Sequence, residues 1–132
     1  MDTTEIPGND VVLAVIDSGV DWHHPDLAAN IWQNPDPTAL DMIGWDYGDG
    51  DADPDDDTIN PSHGTHVAGI ASAVTDNVLG VSGAAWGARI LPVKVRSTAG
   101  VLTTSASAEG IIYAANRGAD VINMSYGGSG AS

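Results

Sequence analysis

Two short stretches hold side chains able to move a proton: DSGVDWHHPDL, residues 17–27, and HGTHVAG, residues 63–69. An imidazole, with an ordinary pKa of about 6.5, takes up and releases protons near neutral pH. A carboxylate at one ring nitrogen fixes the tautomer and stabilises the cation, which leaves the other nitrogen to serve a nucleophile. Asp17 and His63 are the candidates for these two roles. Gly19 permits a sharp turn after Asp17, and Gly64 lets a substrate or a second stretch of chain come close to the imidazole. Taken singly, each residue also fits a structural role: a strand-terminal Asp caps a turn, and a lone His is often a satisfied structural group.

The elements that must position these groups read as an α/β alternation. VVLAVI, Val11–Ile16, is a continuous apolar, β-branched run, the pattern of a strand covered on both faces. It ends directly at Asp17. HGTHVAGIASAV, from His63, predicts a tightly packed, buried helix. RILPVKV (Arg89–Val95) predicts a second strand, SASAEGIIYAANRG (Ser105–Gly118) a helix closed by glycine, and ADVINMS (Ala119–Ser125) a third strand. Strands alternating with helices imply right-handed crossovers and a parallel sheet with flanking helices. In such sheets reactive groups gather beyond the carboxyl ends of the strands, which is where Asp17 falls. Asn34–Ser62 is a Pro, Gly and Asp-rich insertion that predicts a long surface loop.

The chain has 132 residues, 42% of them hydrophobic, which suits one domain with a buried core spanning 1–132. Eighteen Asp and Glu against four Lys and Arg give a formal net charge of -14, which repels phosphate backbones and anionic lipid alike. Neither nucleic acid nor a membrane is an expected partner. No apolar run approaches the ~20 residues of a bilayer span, and MDTTEIPGND lacks the pattern of a signal peptide. The chain contains no cysteine, so disulfides and thiol catalysis are excluded.

Taken together, DSGVDWHHPDL and HGTHVAG closely resemble the Asp and His motifs of the subtilisin-like serine peptidases. DNVLGVSGAAWGARILPVKV resembles that family's calcium loop and following strand, and GADVINMSYGG the strand whose SxGG end lines the substrate cleft. The resemblance runs in family order from Val11 to Gly128. It implies serine endopeptidase chemistry, with Asp17 orienting His63 and His63 acting as general base and then acid. It also implies an extended peptide or protein substrate bound along Gly100, Val101 and Leu102 and along Ser125, Tyr126 and Gly127, and a secreted, extracellular setting. Bland readings remain for these segments: Val101 and Leu102 as core residues, and SYGG as an ordinary strand end.

No segment matches the family's GTSMA-like nucleophile or its oxyanion-hole Asn. Ser18, Ser62, Ser125 and Ser132 lie in plausible neighbourhoods, but Ser18 and Ser62 sit beside the relay residues rather than across from the imidazole, and Ser125 falls in the cleft motif. The expectation is the N-terminal portion of a peptidase domain, inert alone and completed by the remaining C-terminal part. A noncatalytic calcium- or peptide-binding module on the same fold is the alternative. A nucleotide-binding doubly wound domain is disfavoured, because no GxGxxG follows VVLAVI.

GWDYGDGDADPDDD places seven aspartates, from Asp46 to Asp57, within twelve positions, and such crowding needs a counter-charge. Clustered hard oxygens suit Ca²⁺, although the spacing excludes an EF-hand because Pro54 would stand at the obligatory glycine. A solvated acidic loop is the other reading. By resemblance to thermophilic members of the family, the ligands are Asp46, Asp49, Asp51, Asp53 and Asp55. A second calcium site is implied by Asp26, Asn77 and the main-chain carbonyls of Thr75, Leu79 and Val81; a plain tight turn at Asn77 and Gly80 is the alternative.

Overall fold

A computed structural model describes residues 11–127. Strand β1 (Val12–Asp17) lies between β3 (Arg89–Lys94) and β4 (Val121–Asn123), and β2 (Trp45–Asp46) forms the outer edge beside β3, giving the order β2-β3-β1-β4. All three pairings are parallel, with Val12 opposite Arg89 and Asp17 opposite Lys94. Helix α1 (His63–Ser72) and helix α2 (Thr104–Asn116) pack on opposite faces.

The period-2 alternation of strand side chains divides the core in two. Ala14, Ile16, Leu91 and Val93 point to one face and meet Ala106, Tyr113 and Ala114 of α2. Val15 and Ile90 point to the other and meet Ala68 of α1, with Val20, Leu27 and Ile31 completing that layer. Burial on both faces is why β1 and β3 read as unbroken apolar runs. Helix α2 lies close to the sheet through Gly110, where a Cβ would meet Val95 at 3.0 Å and Val93 at 3.2 Å.

Both ends of α2 follow from local chemistry. Thr103 caps its start by accepting the Ala106 amide, 3.1 Å. At its end Gly118 adopts φ +80, its amide bonds the Ala115 carbonyl, and the Ala119 amide bonds that of Ala114. This is the paired Schellman closure that favours glycine.

Three sequence expectations are corrected. α1 is buried along one face only, through Gly64, Ala68 and Ser72, and Ile70 on its outer side is 60% exposed. The third strand is three residues long, because β4 is an edge strand that pairs only with Leu13–Val15 of β1. The 34–62 insertion is not wholly a surface loop: it supplies β2 and buries Asp41, Asp46, Asp56 and Thr58. Its polar groups enter the interior because each of these three carboxylates has a partner there.

Candidate active site

β1 delivers Asp17 to the carboxyl edge of the sheet, and α1 begins at His63. His63 Nδ1 lies 2.7 Å from Asp17 Oδ1, which also accepts the Ser18 amide at 2.7 Å. The Asp17 side chain is 4% exposed and that of His63 53%. A buried carboxylate thus holds one ring nitrogen while the rest of the imidazole opens to solvent. Because a carboxylate only accepts, the neutral ring carries its proton on Nδ1, and Nε2 is left as a base. Asp17 Oδ2 is buried with no hydrogen-bond partner among the described residues.

The two segments are fastened together by a residue the sequence did not single out. Asp56, 7% exposed, accepts the Ser18 hydroxyl at 2.8 Å on one oxygen. Its other oxygen accepts the Ser62 amide at 2.9 Å, the Thr65 amide at 3.1 Å and the Thr65 hydroxyl at 2.6 Å. Asp56 therefore satisfies the amides at the start of α1, where Ser62, with φ 93, provides no side-chain cap of its own. Ser18 Oγ in turn accepts the Gly64 amide at 3.0 Å. A Cβ on Gly64 would overlap the Gly19 carbonyl oxygen, so the close approach of the two motifs requires glycine there.

Asp17 and His63 line a cleft of about 370 Å³ together with Gly100, Leu102, Ser125, Tyr126 and Gly127. Five of the six proposed peptide-contacting residues thus share one cavity with the relay pair. The sixth, Val101, does not line it, and at 58% exposure it is no core residue either; Leu102 is 40% exposed. Arg96, which also lines the cleft, was not anticipated, although it directly follows the predicted strand Arg89–Val95. Among the serines, the Ser18 hydroxyl is fully engaged and buried, and Ser125 accepts the Asn123 side-chain amide at 2.7 Å. Gly128 and Ser132 lie outside the described residues.

The acidic loop finds part of its counter-charge within the chain. Lys94, 2% exposed, donates to Asp46 at 2.7 Å, Asp49 at 3.1 Å and Asp57 at 2.6 Å. Burial works against the Lys94 charge, but the three carboxylates outweigh it and hold the ammonium protonated. Burial also pushes the Asp46 carboxyl up, against the pull of Lys94. The geometry decides for the charged pair, since Asp46 Oδ1 takes the Gly48 and Asp49 amides while Oδ2 takes the ammonium.

Asp51 and Asp53 receive only local amides and, at Asp53, the Trp22 indole N–H. The five carboxylates expected to share one ion do not converge on one point. Asp55 instead joins Asp21 and His23, whose candidate ligand atoms lie within 4.8 Å of one another. Burial raises the Asp55 carboxyl, and the neighbouring Asp21, Asp53 and Asp57 add to the rise. Asp21 and His23 stand in the DWH of the first motif, where the relay reading drew attention to Asp17 instead.

The second expected cation site is more compact. Asp26, 4% exposed, accepts Asn77 Nδ2 at 2.7 Å and the Val81 amide at 2.9 Å, and these bonds, the Asn77 one foremost, lower its carboxyl pKa. Asp76, Val78 and Gly80 alternate in the left-handed region with φ 61, 62 and 46. Such a conformation is strained for β-branched Val78, by roughly 1–3 kcal/mol. The loop surrounds a hollow of about 260 Å³ lined by Asn77, Leu79 and Val81, and the Thr75 hydroxyl is buried without a partner among the described residues. These residues supply the hard oxygen donors that Ca²⁺ takes, although both Asp26 oxygens are turned to the Asn77 and Val81 donors.

Fold and site define a class: a parallel α/β protein carrying a carboxylate-oriented imidazole in an open cleft at the carboxyl ends of its strands. The Subtilase family profile matches residues 8–132, and the chain belongs to that family. Thermitase of Thermoactinomyces vulgaris is 43% identical over 122 residues, and a thermophilic serine proteinase of Bacillus sp. strain AK1 is 47% identical over 115. These matches cover 92% and 87% of this chain but only 39% and 25% of those relatives. Among solved structures, the Aeromonas sobria serine protease, crystallised with its chaperone, superposes with a TM-score of 0.67 at 30% identity, covering 94% of this chain and 19% of that one.

Proposed function

We propose that this chain supplies the Asp and His of a subtilisin-like serine endopeptidase site, with Asp17 orienting His63. The observation that carries the reading is the 2.7 Å contact between His63 Nδ1 and Asp17 Oδ1 in the cleft that also holds Gly100, Leu102 and Ser125–Gly127. The nucleophilic serine and the oxyanion-hole Asn come from sequence beyond residue 132, in keeping with the 39% of thermitase that the chain spans. In the reaction His63 Nε2 takes the proton of that serine as its oxygen attacks the peptide carbonyl, then passes the proton to the departing amine. Asp17 stays ionised and stabilises the imidazolium between the two transfers. An extended peptide bonds main-chain groups at Ser125–Gly127 and near Gly100–Leu102, which makes binding tolerant of sequence. The protein works outside the cell, as family resemblance implies.

Ca²⁺ belongs to the same reading. Asp26, Asn77 and the carbonyls of Thr75, Leu79 and Val81 would hold one ion, which when bound neutralises Asp26 and offsets the strain at Val78. The acidic loop would hold another through Asp55 with Asp21 and His23, whose candidate ligand atoms lie within 4.8 Å of one another, while Asp46 and Asp49 are turned toward Lys94.

The experiment is labelling with a serine-directed phosphonate. The full gene product is expected to react stoichiometrically, its His63→Ala variant not at all, and the 132-residue chain not at all. Labelling of the 132-residue chain, or undiminished labelling of His63→Ala, refutes the assignment.

A further inference from the structure

Among the described residues, Arg96 is the one Lys or Arg that lines the cleft, and no carboxylate pairs with it. Of the four Lys and Arg in the sequence, Lys94 faces three carboxylates, Arg117 pairs with Asp41, and Arg89 donates to the Ala29 carbonyl on a remote surface. Arg96 lines the cleft with Asp17 and His63, and it pairs with no carboxylate among the described residues, although the chain carries 18 acidic side chains.

Its guanidinium is held in place. Arg96 Nε donates to the Gly100 carbonyl at 2.9 Å, and the Arg96 backbone bridges antiparallel to Leu102. The turn between them is closed by Ser97 N to Val101 O at 2.9 Å, Gly100 N to Ser97 O at 2.7 Å and Gly100 at φ +86. With Nε engaged, the two Nη groups remain as a planar pair of donors, the geometry that receives a carboxylate through two bonds. The carboxylate that lines the same cleft, Asp17, is committed to His63 and the Ser18 amide.

We propose that Arg96 is a specificity-determining residue that selects peptides with an Asp or Glu side chain in the segment lying along Gly100–Leu102. The proposal rests on the peptidase reading and adds a substrate class to it. A main-chain-bonded peptide alone gives broad tolerance; a preorganised guanidinium at one subsite adds a preference through charge-assisted hydrogen bonds.

The test is a positional library of internally quenched peptides presented to the full gene product, comparing kcat/KM for Glu against Gln at each position. One subsite is expected to favour Glu by about 10- to 100-fold, the range of a charge-assisted pair, and the preference shrinks with added salt. Arg96→Met brings the Glu-to-Gln ratio near one, and Arg96→Glu turns the preference toward Lys. These ratios are internal to each enzyme preparation, so a general loss of stability does not imitate them. A wild-type enzyme that cleaves Glu and Gln peptides equally at every subsite overturns the Arg96 assignment and leaves the peptidase reading standing. A ratio unchanged in Arg96→Met does the same. Failure to cleave any peptide, together with no phosphonate labelling, overturns both.

Discussion

At the scale of single residues, Asp17 and His63 each fit a structural role when read alone, and their pairing was legible only from the two motifs taken together with the family they resemble. Asp56 was not. It stood as one of seven aspartates in a crowded loop, and only folding reveals that its two oxygens bond Ser18, Ser62 and Thr65 and so join the Asp and His segments. Arg96 was hidden in the same way, since nothing in sequence reports which cation lacks a carboxylate. The network around Asp56 makes a specific demand. Asp56→Ala leaves the Thr65 and Ser62 amides without their acceptor and is expected to destabilise the fold by about 2–4 kcal/mol, as loss of several buried charge-assisted bonds does. It should also weaken the His63 Nδ1–H resonance that reports the bond to Asp17. An unchanged melting temperature with an unchanged imidazole spectrum contradicts this account of Asp56.

At the scale of elements, β1, β3 and both helices were legible from apolar runs and from the Gly118 signal at the end of α2, whereas the Thr103 cap at its start was not read. β2 was not, because a two-residue edge strand carries no periodicity, and its burial depends on Lys94, 48 positions away from Asp46. Asp41 is a second case of long-range pairing. It accepts the Tyr113 hydroxyl at 2.7 Å and pairs with Arg117, which ties the 34–62 segment to α2. Burial works to raise its carboxyl, but Arg117 and Tyr113 outweigh burial and lower it. A folded pKa below the unfolded one adds stability that is present above the unfolded value of about 3.9 and lost as pH falls through the folded one. Asp41→Asn should therefore cost about 1–2 kcal/mol at neutral pH, with the half-exposed Arg117 contributing the smaller share. The difference from wild type should close as pH drops below about 4. Thermal unfolding over a pH series reads this, and a gap that does not narrow as pH falls below about 4 contradicts it.

At the scale of the whole molecule, a charge of -14 on 132 residues favours any cation that binds the folded state. Millimolar Ca²⁺ should raise the melting temperature, since a ligand at 100 times its dissociation constant adds about 2.7 kcal/mol. Mg²⁺ at equal ionic strength should do less. Asn77→Ala tests the 74–82 loop, and Asp55→Asn tests the acidic loop without touching Lys94. A calcium shift undiminished in both variants removes both sites from the account. The central claim, that this fold presents Asp17 and His63 for peptide hydrolysis, is tested most directly by turnover of an unstructured peptide by the full gene product. Wild type is expected to cleave it, Asp17→Asn to lose roughly 10⁴-fold in kcat through the wrong imidazole tautomer, and His63→Ala to fall at least as far. Turnover that survives either substitution within tenfold of wild type contradicts the claim.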